Sequence, residues 1–251
     1  MKKIFILLVC VTSMFFGQGI TWTEISSSYS LPDGVKLFKG ERTSPKLQAF
    51  YLEVDMNDEN LAVRPYITSS IATVPVLTER FGAIAAVNGG YFGGTTSYSA
   101  VIYPGEVKAQ NVAAVTRNGK SYPVARSLFS MDSSFNFNVD WIYHFGNLPE
   151  NVYTYDAPLP YVNNDPNPLP APLPADGSSY SDLLVGIGGG PVLVKDGVVN
   201  ITYNQEIMWG SGVGLDIRDP RTAVGYTNDK HVVIMVVDGR SPLSDGLTLP
   251  D

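Results

Sequence analysis

Short apolar runs set off by turn residues dominate the chain. Residues 47–54 (LQAFYLEV) alternate in the manner of a half-buried strand. A polar turn at 57–60 and a second run at 61–67 complete a predicted antiparallel pair. Upstream, residues 21–29 lean toward strand, Pro32-Asp33-Gly34 is a turn, and residues 35–38 restart a strand. One helix is predicted over 73–81, with Thr73 as its cap, Pro75 in its first turn and Gly82 as its stop. Residues 101–103 read as a strand closed by Pro104-Gly105, and residues 128–143 carry further strand-like alternation. Three hairpins are marked by their turns: Asn118-Gly119, Asp196-Gly197 and Asn228-Asp229.

Three runs are almost wholly apolar and pass directly into glycine-rich polar motifs. They are AIAAV (83–87) into Asn88-Gly89-Gly90, LLVGI (183–187) into Gly188-Gly189-Gly190, and VVIMVV (232–237) into Asp238-Gly239-Arg240. Each reads as a buried strand, the last on both faces. Laid side by side and running the same way, they would bring their motifs to one sheet edge, where ligand sites often lie. Glycines there let backbone approach a ligand and present N–H groups to an anion. A glycine pair after a strand is, taken singly, a turn; the coincidence of three is what carries information. Arg221 and Arg240 accompany them, with Asp216, Asp219 and Asp238 close in sequence. Arginine grips phosphate bidentately, and carboxylates act as nucleophile, base or acid at a sugar carbon.

Residues 1–19 have the form of a cleavable secretory signal. Lys2 and Lys3 precede about 13 apolar residues, and Gly17-Gln18-Gly19 offers a small-x-small cleavage site. The apolar stretch is too short to span a bilayer comfortably, so no stable membrane insertion is expected once it is removed. Cys10 is the single cysteine and follows Val9, where a lipidation site wants a small residue. The domain over 20–251 therefore holds no disulfide and no thiolate nucleophile, which points to a bacterial periplasm, cell surface or medium. Its charge becomes −9, because the whole chain stands at −7 and the signal removes two lysines and no acid. Such a domain is a poor nucleic-acid binder. With His144 and His231 as the two histidines, a Ser–His triad or a His-rich metal site is not expected, and no cofactor is implied. Seven prolines crowd residues 158–174, within an insertion at about 149–180 that can be neither helix nor central strand.

The motifs AAVNGGYF (85–92), GGGPVLV (188–194), RTAVG (221–225) and VVDGR (236–240) occur in the order seen in the phosphodiester glycosidase family. The family includes an N-acetylglucosamine-1-phosphodiester α-N-acetylglucosaminidase and many exported bacterial proteins. The resemblance runs from about Leu47 to the last residue. It implies an α+β fold: a mixed, strand-rich single domain with few helices and a surface cleft at strand ends. It also implies hydrolysis of a sugar-1-phosphodiester, carried on a phosphorylated glycan, to free sugar and phosphomonoester. The cleft positions it implies are Asn88, Arg221, Asp238 and Arg240 as catalytic residues, with Gly89, Gly90, Gly189, Gly190 and Asp216 binding substrate.

The family pattern continues past a Thr-Leu-x-Glu segment into a helix and an Asp-Gly-Gly-Gly-Ser-like motif. Here Thr248-Leu249-Pro250-Asp251 reaches the start of that segment, with Asp in place of Glu. The resemblance thus implies a C-terminally truncated domain, and the 251-residue chain is expected to be inactive. A non-catalytic glycan-binding or scaffold protein that keeps the fold is the alternative.

Overall fold

The computed structural model describes residues 19–251, so the signal expected at 1–19 lies, but for its last residue, outside the described residues. Two antiparallel sheets organise the chain. The first contains β1 (Thr21–Glu24), β2 (Val35–Arg42), β3 (Leu47–Asp55), β17 (Arg221–Tyr226) and β18 (His231–Val237), in the order β1-β2-β3-β18-β17. The second has the order β13-β12-β11-β10-β14-β6-β7. It is built from β6 (Val101–Tyr103), β7 (Glu106–Ala109), β10 (Arg126–Asp132), β11 (Phe137–His144), β12 (Val152–Tyr155), β13 (Ser178–Ser179) and β14 (Leu183–Gly188). Three small hairpins complete the strands: β4 (Phe92–Gly93) with β5 (Thr96–Ser97), β8 (Ala114–Arg117) with β9 (Lys120–Pro123), and β15 (Val194–Lys195) with β16 (Val198–Val199). One α-helix, α1 (Val74–Phe81), is present among the described residues, as a strand-rich α+β domain requires. That helix is neither long nor apolar enough to cross a membrane.

Local chemistry explains the elements that form where expected. Thr73 precedes α1 in extended backbone, although its side chain makes no capping hydrogen bond; a proline occupies the first turn, and Gly82 ends the helix at φ 61° with its N–H on the last carbonyls. Asn118 and Gly119 take left-handed backbone at φ 49° and 75°, the geometry a two-residue hairpin turn needs. The main core lies on the second sheet, where Ala100, Ile102, Leu128, Ile142, Val152 and Leu183 are buried together. Phe129 and Phe137 of that sheet approach Tyr226 of β17, bringing the two sheets into contact.

Several expectations fail for identifiable reasons. Residues 61–67 form no strand: both edges of β3 are already paired, with β2 and with β18, and Pro65 removes a donor. Residues 83–87 form neither a strand nor a buried segment, and Ile84 is 59% exposed. Three of those five residues are alanine, so burial offers them little apolar area. The strand β18 is central, yet only Val232 and Val237 are buried in it; the residues between are half-buried. Nor do the three apolar runs lie side by side, since β14 and β18 belong to different sheets. The proline-rich insertion is less superficial than expected. Tyr161 is buried beside Tyr122, Ile207 and Trp209, and the Asp165 carbonyl accepts the Tyr122 hydroxyl at 2.7 Å.

Candidate functional site

Although the three runs part company, their motifs meet. The loop after α1 passes between β14 and β17. The Asn88 Oδ1 accepts the Thr222 hydroxyl at 2.6 Å. Gly90 packs so closely on β14 that a Cβ there would lie 2.3 Å from the Gly188 carbonyl oxygen and 2.4 Å from Ser99 Cβ, so no side chain fits. At Gly89 a Cβ would meet the tip of Ile187 at 2.9 Å. Tyr91 then donates its hydroxyl to the Gly190 carbonyl at 2.7 Å. Gly190 itself takes φ 112°, and a Cβ there would press on Glu206 Oε2 and Ser127 Oγ. Gly189 has open space where a Cβ would sit.

Thr222 leads to the remaining positions. Its neighbour Arg221 pairs with Val237 across the β17–β18 ladder, and Asp238 follows at once. The Asp238 carboxylate is half-buried; it accepts the Gly239 N–H at 2.8 Å and the Ser241 hydroxyl at 2.5 Å. Gly239 lies against Pro220, with a Cβ position 2.5 Å from Pro220 N. Arg240, in left-handed backbone at φ 57°, turns its side chain onto the buried Asp219, with Nε and Nη2 both 2.7 Å from Oδ1.

The two arginines differ in how far they are committed. The Arg221 guanidinium donates to three carbonyls: Leu247 at 3.1 Å, Gly214 at 2.9 Å and Ile217 at 2.8 Å. It therefore clasps the 214–217 loop, on which Asp216 sits exposed and without a hydrogen bond among the described residues. Arg240 has a side chain 70% exposed and one carboxylate partner. Asn88 reaches β17 through Thr222, while the Arg221 side chain goes to the Leu247, Gly214 and Ile217 carbonyls; Asn88, Arg221, Asp238 and Arg240 do not bond to one another directly.

Sequence reasoning missed a buried polar cluster beneath the junction. Glu206 is fully buried, and its carboxylate accepts four donors: Ser127 N at 3.0 Å, Val192 N at 2.9 Å, the Thr202 hydroxyl at 2.6 Å and Trp141 Nε1 at 3.3 Å. Arg126 is 7% exposed close by. Burial pushes the Tyr91 pKa up; Arg126 opposes this, Glu206 adds to it, and Arg221 opposes it. The hydroxyl of Tyr91 thus lies within electrostatic reach of both arginines. A charged residue beside the apolar run Ile207-Met208-Trp209 was the one sequence signal that pointed to Glu206.

The two histidines stand apart from the junction. His231 flanks Asp229 at 3.2 Å on a turn. His144 Nε2 accepts the Asn111 N–H at 3.2 Å, and burial depresses its pKa to about 4. Recesses of about 590 Å³, lined in part by Arg42, Lys46 and Leu243, and of about 300 Å³, lined in part by Asp140, Tyr155 and Lys195, contain none of the junction residues. No group of three or more His, Cys, Asp or Glu side chains that could hold a metal gathers among the described residues.

A protein-family model described as phosphodiester glycosidase matches residues 81–251. The match starts at the end of α1, so β1 to β3 lie outside it, although the sequence resemblance was expected from about Leu47. No curated protein matches the chain.

Proposed function

The chain belongs to the phosphodiester glycosidase family, and on that premise we propose that it hydrolyses a sugar-1-phosphodiester of the N-acetylglucosamine-1-phosphodiester type. Family membership makes it a glycosidase-like hydrolase in general terms; the substrate and the residue roles are our reading. The observation that carries it is the meeting of three distant motifs. Asn88 bonds to Thr222 beside Arg221, Gly90 packs on Gly188, and Asp238 follows the residue paired with Arg221.

In this reading water adds at the anomeric carbon and the bond from that carbon to the phosphate oxygen breaks. The sugar leaves as a free hemiacetal, and the phosphomonoester keeps the bridging oxygen. Asp238 supplies the carboxylate that acts at the anomeric carbon; Gly239 N–H and the Ser241 hydroxyl fix its orientation. Asn88 has its oxygen engaged by Thr222, which leaves its amide donors for a sugar hydroxyl. Arg221 acts by holding the 214–217 loop and the Leu247 carbonyl in place, and Arg240 sets the positive rim of the site. A phosphomonoester is a good leaving group, so weak general-acid assistance suffices. The first 19 residues support export ahead of this chemistry.

The test is incubation of the full-length protein with a panel of sugar-1-phosphodiesters, following free sugar and phosphomonoester separately. Equal release of both from at least one substrate supports the reading. Saturable binding of the panel with no release would favour a glycan-binding role instead.

A further inference from the structure

Arg126, the first residue of β10, is a buried cation whose donors are largely unused. A guanidinium carries five N–H donors. Here Nη1 reaches Met208 Sδ at 3.1 Å, a weak acceptor. Nε is buried with no partner, and Nη2 makes no hydrogen bond among the described residues. No carboxylate lies within ion-pair distance of it among those residues. Glu206 attracts it electrostatically, yet both Glu206 oxygens are already filled by Ser127, Val192, Thr202 and Trp141. A charge taken from water is tolerated when its hydrogen bonds are restored, and this one has its charge balanced at a distance and its donors left open.

Its surroundings lead back to the junction. Met208, whose Sδ meets Arg126 Nη1, lies against Gly190, where a Cβ would come 3.1 Å from its Cε, and the Gly190 carbonyl holds the Tyr91 hydroxyl. Arg126 is also the charge that most strongly influences that hydroxyl. The arginines that sequence alone singles out are engaged: Arg221 with three carbonyls, Arg240 with Asp219.

We propose that Arg126 is the phosphate-anchoring residue of this site, its guanidinium taking the non-bridging oxygens of a phosphate ester beside Tyr91 and the Gly190 turn. The proposal rests on the phosphodiester reading above and deepens it. Glu206 then serves as a positioning residue: it keeps the local charge balanced while the ligand is absent and ties β10 to the Val192 segment. Arginine suits the task because its planar fork matches two phosphate oxygens at once, which an ammonium cannot do.

The experiment is calorimetric titration of the full-length protein with inorganic phosphate, with a dialkyl phosphate and with sulfate. Wild type is compared with Arg126→Lys, Arg126→Met and, as a control outside the site, Lys108→Ala, which removes a surface ion pair with Glu106, and thermal melting is recorded for each. Saturable phosphate-ester binding is expected in wild type and in Lys108→Ala. It should weaken about tenfold or more in Arg126→Lys, where charge is kept and the fork lost, without loss of the melting transition. Should Arg126→Met fail to fold, Arg126→Lys decides. Dialkyl phosphate bound at least as well as inorganic phosphate marks the substrate's diester as the occupant. Tighter binding of inorganic phosphate marks the product side of the same subsite. Equal binding of sulfate and both phosphates, or phosphate affinity unchanged in Arg126→Lys, overturns the proposal. Hydrolysis measured on the same preparations separates the two readings. Turnover with an unchanged KM in Arg126→Lys removes the anchor and leaves the function. Arg126-dependent phosphate binding without turnover of any diester removes the function and leaves the anchor.

Discussion

The hydroxyl of Thr222 donates to Asn88 Oδ1 at 2.6 Å, joining residues 134 positions apart. Through this bond the loop after α1 is tied to the edge strand β17, and the amide of Asn88 is oriented. The Thr222→Val variant removes the donor at nearly constant shape. Because the pair is exposed, stability should change by less than about 1 kcal/mol. Turnover should fall roughly 10- to 100-fold, since a small misplacement of a positioning group is costly in rate. Thr222→Ser should restore most of it, and steady-state kinetics beside thermal melts would read both effects.

Arg221 and Arg240 should separate in a stability measurement. Arg221→Ala loses three charge-assisted contacts to carbonyls that hold two loops, and about 2–3 kcal/mol of stability should go with them. Arg240→Ala loses one ion pair, exposed on the arginine side and buried on the Asp219 side, and a smaller loss of about 1–2 kcal/mol is expected. Urea denaturation of the two variants gives the comparison directly; equal losses would show that Arg221 is not the clasp described here.

Glu206→Gln tests the buried cluster. The carboxylate accepts four donors with two oxygens, and an amide would turn an N–H toward at least one of them. A loss of about 2–4 kcal/mol is expected by chemical denaturation. A melt unchanged within a degree would mean that the cluster contributes little to the fold.

The turns were legible because their residue types demand one backbone geometry. Asn118-Gly119, Asp196-Gly197 and Asn228-Asp229 each sit at a hairpin, and α1 spans Val74–Phe81 and stops at Gly82 as expected, while Thr73 stands at its start without a side-chain capping bond. Apolar runs were less informative, since a run encodes a preference for burial and not the surface that receives it. Residues 83–87 stay exposed, and residues 61–67 find no free edge on β3. Of the candidate site, the motifs were legible and their route together was not: β14 and β18 lie in separate sheets, and the connection runs through Thr222, Tyr91 and Gly190. Arg126 and Glu206 escaped notice because a single charged residue inside a strand or turn carries no periodic signal. Burial is what gives them meaning.

His144 makes stability depend on pH. Burial lowers its pKa from the ordinary imidazole value of 6.5 to about 4, so between those values the unfolded chain binds more protons than the folded one. Stability therefore rises with pH through that window and falls as pH drops from about 6.5 toward 4, at up to ~1.4 kcal/mol per pH unit from this group. His144→Gln should flatten that part of the profile. Denaturation midpoints between pH 4 and 7 for both proteins would check it, and parallel profiles would assign the slope to other groups.

The most direct test of the account is release of sugar and phosphomonoester from an N-acetylglucosamine-1-phosphodiester by the full-length protein and by its Asp238→Asn variant. The amide keeps the shape; its oxygen can still accept the Gly239 N–H, and its NH2 can donate to the Ser241 hydroxyl oxygen in place of accepting from it, so the fold should be retained with a small loss of melting temperature. With Asp238 as the carboxylate at the anomeric carbon, turnover should fall about 10²–10⁴-fold in the variant. Release at wild-type rate by Asp238→Asn would contradict the placement of the reaction at this junction.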